Sequence, residues 1–253
     1  MTHDSKPDIH ERPRQRPPLR SWILRVVDGF DVEPNMRRVV MMADDIGEFA
    51  YEPGQAIVLM IPGPDGGTGR RDYTIRGMDR LAGTISVDFV LHGDTPAPAW
   101  ARQARPGDTI EARGPRGGTI LRLAADWHLM TGDETCIPAI AHILETIPAG
   151  AKAFVFIEVD GRNGEIELKT EADAVIRWVH RNGAPAGPSE LMNRMVQDLA
   201  LPPGNGHAYI IGETSNVRRQ RHTLVARGLA RDQVSSEGYW RPGRIGGHDH
   251  VDD

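Results

Sequence analysis

Cysteine is nearly absent from this chain of 253 residues: Cys136 stands alone. That excludes an intramolecular disulfide, a cysteine-based zinc site and an iron–sulfur cluster held by four thiolates. Lysine is almost as rare, since only Lys6, Lys152 and Lys169 among the 30 basic residues are not arginine. Arginine is always charged and forks onto phosphates and carboxylates, although genomic codon usage produces the same bias. No excess of positive charge is present either. The net charge of −5 gives no electrostatic pull toward nucleic acid or an anionic membrane. Long apolar runs are missing: the longest lie near Ala56–Ile61 and Ala153–Ile157, far short of the roughly 20 residues that span a bilayer. The first twenty residues carry Arg12, Arg14, Arg16 and four prolines with no apolar segment behind them, which is not a secretory signal. These absences point to the cytoplasm, with no nucleic acid partner and no membrane insertion.

What is present suffices for a core. With 39% hydrophobic residues, 28 glycines and 19 prolines, the chain holds one large domain or two ordinary ones rich in turns. Residues 1–20 and 246–253 read as solvated tails. His248 and His250, in the second tail beside aspartates, are not read as a metal site. From Trp22 to Leu123, six short apolar runs alternate with Gly, Pro and Asp clusters: Trp22–Val27, Met36–Met41, Gln55–Ile61, Tyr73–Met78, Thr84–Leu91 and Thr109–Arg113. In the fifth, Ile85, Val87, Phe89 and Leu91 recur with a period of two, the mark of a half-buried strand. A small six-stranded β-barrel follows for residues 21–123.

After Leu123 the pattern changes. A strand at Trp127–Thr131 leads into a helix with Ile140, Ile143, Leu144 and Ile147 on one face. Ala153–Val159 is a strand covered on both sides. Ser189 is the expected cap of a helix with a Leu191, Met192, Met195, Val196, Leu199 stripe. His207–Ile211 is another strand, and Asn216–Arg227 a helix ending at Gly228. Strand and helix in alternation imply a parallel α/β sheet over residues 124–245, joined to the barrel near Arg122–Asp126.

Four clusters could carry chemistry. Arg71-Asp72-Tyr73-Thr74-Ile75-Arg76 offers a ring, a hydroxyl and two guanidiniums on one strand, suited to a planar ligand with a phosphate tail; a surface strand of ion-paired arginines is the plainer account. His92-Gly93-Asp94-Thr95 leads into a helix start, followed by Trp100-Ala101, where free backbone N–H groups can meet a pyrophosphate; His92 bonding within its own turn is the alternative. Gly132-Asp133-Glu134-Thr135 is again a strand, turn and helix start, but not Gly-x-Gly-x-x-Gly, and its two acids repel phosphate unless they turn away or cap the helix. Gly212-Glu213 ends a strand at the same sheet edge, where parallel sheets bind ligands. Arginines 218, 219, 221, 227 and 231 follow it, either an anion contact or a solvated helix face. Cys136 falls in a first helical turn, where a dipole lowers a thiol pKa, though small-residue packing is the simpler role.

Taken in order, these segments resemble the siderophore-interacting protein family, a branch of the ferredoxin–NADP reductase-like flavoproteins. The resemblance also covers Pro106-Gly107-Asp108, Gly114-Pro115-Arg116-Gly117, Pro138-Ala139-Ile140 and Gly238-Tyr239-Trp240-Arg241-Pro242-Gly243, and so nearly all of the folded length. It implies a Greek-key antiparallel β-barrel that binds FAD, an α/β domain that binds NADPH or NADH, and reduction of iron held in a ferric siderophore or other ferric chelate. Arg71 would hold the FAD pyrophosphate, Tyr73 would lie against the flavin, and Thr74 would offer its hydroxyl to flavin N5 as the catalytic residue. Arg76 and the segment His92, Gly93, Asp94, Thr95, Trp100 and Ala101 would complete the FAD site. Gly132, Asp133, Glu134, Thr135, Gly212 and Glu213 would border the nicotinamide, and Trp240 would approach the flavin face. Arg113, Arg116 and Arg241 would meet the ferric chelate. The chain departs from the family's pattern twice: Ala56-Ile57-Val58-Leu59 lacks a common lysine, and Thr95-Pro96 replaces a usual glycine. A flavin reductase with another acceptor, and a non-catalytic flavoprotein that carries the chelate, remain open alternatives. NADPH against NADH is open too, with Arg162 and the Arg218–Arg221 cluster as candidates for a 2′-phosphate.

Overall fold

Alternating burial builds the first half. In the computed structural model, which describes residues 19–63, 65–91, 95–244 and 249–251, Ile85, Val87 and Phe89 all point inward with no exposed surface. They join Leu24, Val26, Val39, Met41, Ile57, Leu59 and Ile61 in one core. The strands are β1 (Ser21–Glu33), β2 (Met36–Met42), β3 (Ala56–Pro62), β4 (Thr68–Thr74), β5 (Gly77–Asp79), β6 (Thr84–Val90) and β7 (Thr109–Arg116), with helix α1 (Pro96–Gln103) between the last two. All pair antiparallel, in the order β4-β3-β7-β1-β2-β6-β5.

Seven strands form rather than six, because the segment 73–78 changes partner. Through Thr74 it pairs with β3, then Ile75 N donates to Gln55 O and Arg76 N to Ser86 O on β6. One peptide junction thus bridges the two sheet edges and closes the barrel, which a continuous strand would leave open.

The second half holds β8 (Trp127–Asp133), α2 (Ile137–Thr146), β9 (Lys152–Val159), β10 (Asp173–His180), α3 (Leu191–Asp198), β11 (Gly206–Glu213), α4 (Thr214–Ala226), β12 (Val234–Trp240) and β13 (Asp249–His250). The sheet order is β10-β9-β8-β11-β12-β13, parallel except for β13. Every residue of β8 and β11 is buried, since Met130, Val155, Ile157, Tyr209 and Ile211 pack under α2 while Leu129, Phe156, Ala208 and Ile210 pack under α3 and α4. This is the pattern of strands covered on both faces.

Some boundaries differ from the sequence-based expectation. Glu190 rather than Ser189 occupies the α3 N-cap, and the Ser189 hydroxyl donates to Glu158 instead. Helix α4 starts at Thr214 because the Glu213 carboxylate accepts Asn216 N. It ends where expected: Gly228 has φ +104°, and Leu229 N and Gly228 N reach back to the Leu224 and Val225 carbonyls, a Schellman closure. The expected tail 246–253 is partly structured. Asp249 and His250 pair with Gly238 and Glu237, and Val251 is buried; His248 lies outside the described residues. Cys136 is fully buried, and burial drives its thiol pKa up rather than down.

Two histidines, His207 buried and His142 partly buried, make the fold acid-sensitive. Burial lowers His142, and Arg76 nearby adds to this, bringing it to about 4; burial likewise lowers His207 to about 4. Unfolded, each titrates near 6.5. Between those values the unfolded chain binds more protons than the folded one, so stability is complete above the unfolded pKa and drains as pH falls through the folded one. The melting temperature is expected to drop by several degrees between neutral pH and pH ~4.5, and His207→Gln to flatten that slope; a calorimetric pH series checks both.

Candidate functional site

Barrel and parallel sheet meet at a seam. Met36 of β2 is buried in the same apolar cluster as Ile137 and Ile140 of α2. The Arg76 guanidinium reaches Glu145 of α2 at 2.6 Å and Asp88 of β6 at 3.7 Å. Tyr51 stacks on His142, ring centroids 5.8 Å apart. Gly118 N donates to Glu237 at 3.0 Å, and Arg122 N to the Tyr209 hydroxyl at 2.8 Å.

Along this seam runs a cleft of about 490 Å³, walled on the barrel side by Arg71, Tyr73, Thr74, Thr95 and Arg116 and on the sheet side by Glu134, Thr135, Glu237, Tyr239 and Trp240. Arg71 makes no ion pair with any described residue; its guanidinium donates only to its neighbour's carbonyl, Arg70 O. A cation in a cleft wall with no carboxylate partner is suited to an anion. The Tyr73 ring packs on Phe89 at 4.3 Å, and Phe89 on Trp100 at 5.6 Å, so Trp100 backs the wall from behind. Burial keeps the Tyr73 phenol protonated far into the alkaline range.

Thr74 is buried and hydrogen-bonded to the Tyr239 hydroxyl across the seam. Burial raises the Tyr239 pKa and keeps the phenol protonated, while the hydrogen bond with Thr74 opposes the rise. A threonine hydroxyl has one hydrogen and two lone pairs. A bond in which Tyr239 donates would leave Thr74's own hydrogen to the cleft.

On the sheet side, Asp133 is the centre. Its Oδ1 accepts Thr135 N at 2.9 Å and the Thr135 hydroxyl at 2.5 Å, while Oδ2 accepts Glu213 N at 3.1 Å and Trp240 Nε1 at 2.8 Å. Trp240 is thereby fixed in the cleft wall. Burial raises the Asp133 pKa and Glu134 adds to it, while the donors from Thr135 and Trp240 oppose the rise. Gly212 sits at φ +127°, and a Cβ there would stand 2.7 Å from Asp133 Oδ2, so only glycine leaves room for this carboxylate. Glu134 pairs with Arg181 at 2.6 Å, and Arg181 also meets the buried Glu158 at 3.4 Å.

The remaining expected residues scatter. His92, Gly93 and Asp94 lie outside the described residues. Arg76 is held in the seam rather than in the cleft wall, and Ala101 is in the barrel core with its carbonyl accepting from Arg37. Gly132 packs under Cys136, and Glu213 caps α4. Arg113 pairs with Glu111, away from the cleft; Arg241 is exposed near Asp249. Of the arginine run, Arg219 pairs with Glu190, while Arg221 and Arg227 bind backbone carbonyls. Tyr239, Glu237 and Arg244 line the cleft without having been singled out. The first two flank Gly238 in the Gly238–Gly243 motif, which was the available signal.

Comparisons with known proteins agree with this arrangement. Residues 125–243 match the siderophore-interacting protein family, and residues 65–119 the siderophore-interacting FAD-binding domain. The ferric vibriobactin reductase ViuB of Vibrio cholerae is 31% identical over 236 residues, which span 84% of this chain and 86% of that protein. The crystal structure of a siderophore utilization protein from T. fusca superposes with a TM-score of 0.84 at 33% identity, covering 92% of this chain and 97% of the other. That of the siderophore-interacting protein SipS from Aeromonas hydrophila gives 0.75 at 30%, covering 90% and 94%. Sequence likeness, fold and motif order converge, and this chain belongs to the siderophore-interacting protein family.

Proposed function

We propose that this protein is an FAD-containing, NADPH- or NADH-dependent ferric-siderophore reductase that releases iron as Fe(II) in the cytoplasm. The observation that carries the reading is the Arg71 guanidinium, without an ion pair among the described residues, beside Tyr73 and Thr74 in an open cleft at the seam. The residues fit FAD: a cation for its phosphates, an aromatic face for its ring, and a hydroxyl hydrogen for a ring nitrogen. Bound FAD supplies the redox chemistry, taking a two-electron hydride and passing electrons on singly. The protein need contribute only placement and electrostatics.

Each side chain then has one task. Arg71 binds the pyrophosphate. Tyr73, stiffened by Phe89 and Trp100, supports the ring, and Thr95 and Ala97 at the start of α1 border it. Pro96 and Pro98 have no N–H, so Arg71 carries more of the phosphate recognition than the α1 turn does. Thr74, oriented by Tyr239, donates its hydrogen to the flavin nitrogen, and Trp240 closes the sheet-side wall. Arg116 and Arg244 in the cleft wall, with Arg241 on the exposed rim, meet the ferric chelate. Val58, in the strand that lacks the family's lysine, is fully buried, and Ala56 takes the lining position. The chelate thus meets an apolar surface there, and its charge is matched from β7 and from the segment after β12.

The purified protein is expected to be yellow, to bleach anaerobically with NADPH or NADH, and to recover colour on addition of a ferric siderophore while a chromogenic chelator traps Fe(II). Bleaching without iron reduction would point to another acceptor, and chelate binding without bleaching to a carrier. Protein that takes up no FAD would overturn the reading.

Arg71→Ala should leave the melting temperature within a few degrees of wild type but lose most bound FAD, measured as the ratio of flavin to protein absorbance. Tyr239→Phe should retain FAD and slow flavin reduction roughly tenfold, or about 1.4 kcal/mol. If Tyr239 acts through Thr74, then Thr74→Ala should do the same and the double variant should be no slower than either. Additive losses would separate the two residues.

A further inference from the structure

The strand order of the parallel sheet reverses between β8 and β11. In open parallel sheets a phosphate-bearing ligand settles over the strand ends at that point, on backbone N–H groups at a helix start. Here the position is filled from within. Asp133 stands at the end of β8, and its carboxylate accepts Thr135 N, Glu213 N and Trp240 Nε1. These are donors that a pyrophosphate would otherwise use. Gly132 does not open the turn to a ligand, because a Cβ there would stand 2.5 Å from Cys136 Cβ; the glycine serves internal packing. Pro138 in the first turn of α2 has no N–H, and Ile137 and Ala139 are buried.

Charge points the same way. Asp133, Glu134, Glu158 and Glu213 gather at this edge. The guanidinium among them, Arg181, is committed to Glu134 and Glu158. A doubly negative pyrophosphate would meet occupied donors and an excess of carboxylates over guanidiniums at the strand ends. Arg162, just beyond β9, is exposed, where water and salt screen its attraction for a phosphate.

Building on the assignment of a flavin reduced by a nicotinamide donor, we infer that this protein recognises only the nicotinamide mononucleotide half of that donor, because the carboxylate of Asp133 occupies the seat its pyrophosphate would need. The adenylate half stays in solvent. The nicotinamide end still reaches the cleft beside Trp240, since nothing at that end requires phosphate recognition. Donor choice between NADH and NADPH is correspondingly weak.

The test uses FAD-loaded wild-type protein with NADH, NADPH, reduced nicotinamide mononucleotide and ADP-ribose. Stopped-flow flavin reduction should give half-saturation concentrations for the three donors within about threefold of one another. Titration calorimetry with ADP-ribose, which carries the pyrophosphate and adenosine without nicotinamide, should give no binding below millimolar concentration. Micromolar ADP-ribose binding, or a mononucleotide more than tenfold weaker than NADH, would overturn this inference while leaving the reductase assignment intact. Bleaching by dithionite but by none of the three donors would overturn the donor assignment and this inference with it.

Discussion

The cleft exists only where two separately cored halves are held against one another, so its shape depends on the seam. The partners there differ in weight. A partly exposed ion pair such as Arg76–Glu145 contributes about 1 kcal/mol at most, whereas burying a methionine side chain stabilises by roughly 1.5–3 kcal/mol. Met36, in one buried cluster with α2 and with Val32, Val90 and Leu121 packed against it, therefore contributes more than the ion pair to holding barrel to sheet. Arg76 is bidentate to Glu145, which adds direction rather than strength. Apolar burial sets the distance between the halves, and the guanidinium sets their rotation. Tyr51 stacked on His142 and Thr74 bonded to Tyr239 hold the same register from either side.

Within the α/β half a second constraint acts at one carboxylate. Desolvation disfavours a buried Asp133 anion, and neighbouring acids make it worse. Four donors at 3.1 Å or less offset that cost. Hydrogen bonds to a charged group contribute roughly 1.5–3 kcal/mol each, so the assembled set is sufficient. The consequence is mechanical: β8, β11 and β12 are tied at their carboxyl ends, and Trp240 stands in the cleft wall because its indole N–H has this acceptor. Gly212 is the backbone counterpart, since any side chain there would displace the carboxylate.

Periodicity exposes an element when its two faces differ. Thr84–Val90 and the α2 stripe were readable for that reason, as was the change from barrel to α/β organisation near residue 123. The edge strand β10 and the polar strand β12 (Val234–Trp240, with Ser235, Ser236 and Glu237) were not, because their pairing is decided by neighbours rather than by an apolar pattern. Segment 73–78 looked continuous because nothing local encodes a change of partner from β3 to β6. For the site, Arg71, Tyr73, Thr74, Arg116, Glu134, Thr135 and Trp240 do converge on the cleft. Arg76, Trp100, Ala101 and Glu213 are instead spent on packing, capping or the seam. An arginine's sequence neighbours do not reveal its carboxylate partner when, as with Arg76 and Glu145, the two are 69 positions apart.

Charge within the cleft is arranged in a way that the net value of −5 conceals. On the barrel wall Arg116 is paired with Asp72 and Asp88 with Arg38, so Arg71 is the cation there without an ion pair among the described residues, while Glu134 and Glu237 line the sheet side. Fields from fixed charges in a concave site are focused rather than averaged over the surface. An anionic group entering the cleft is therefore drawn to the barrel side and kept from the sheet side. A molecule with a polyanionic tail and an electroneutral ring would orient itself with the tail toward Arg71 before any close contact formed. The same asymmetry discourages a second anion from settling on the sheet side, as the proposed pairing of one phosphorylated ligand with an uncharged ring requires.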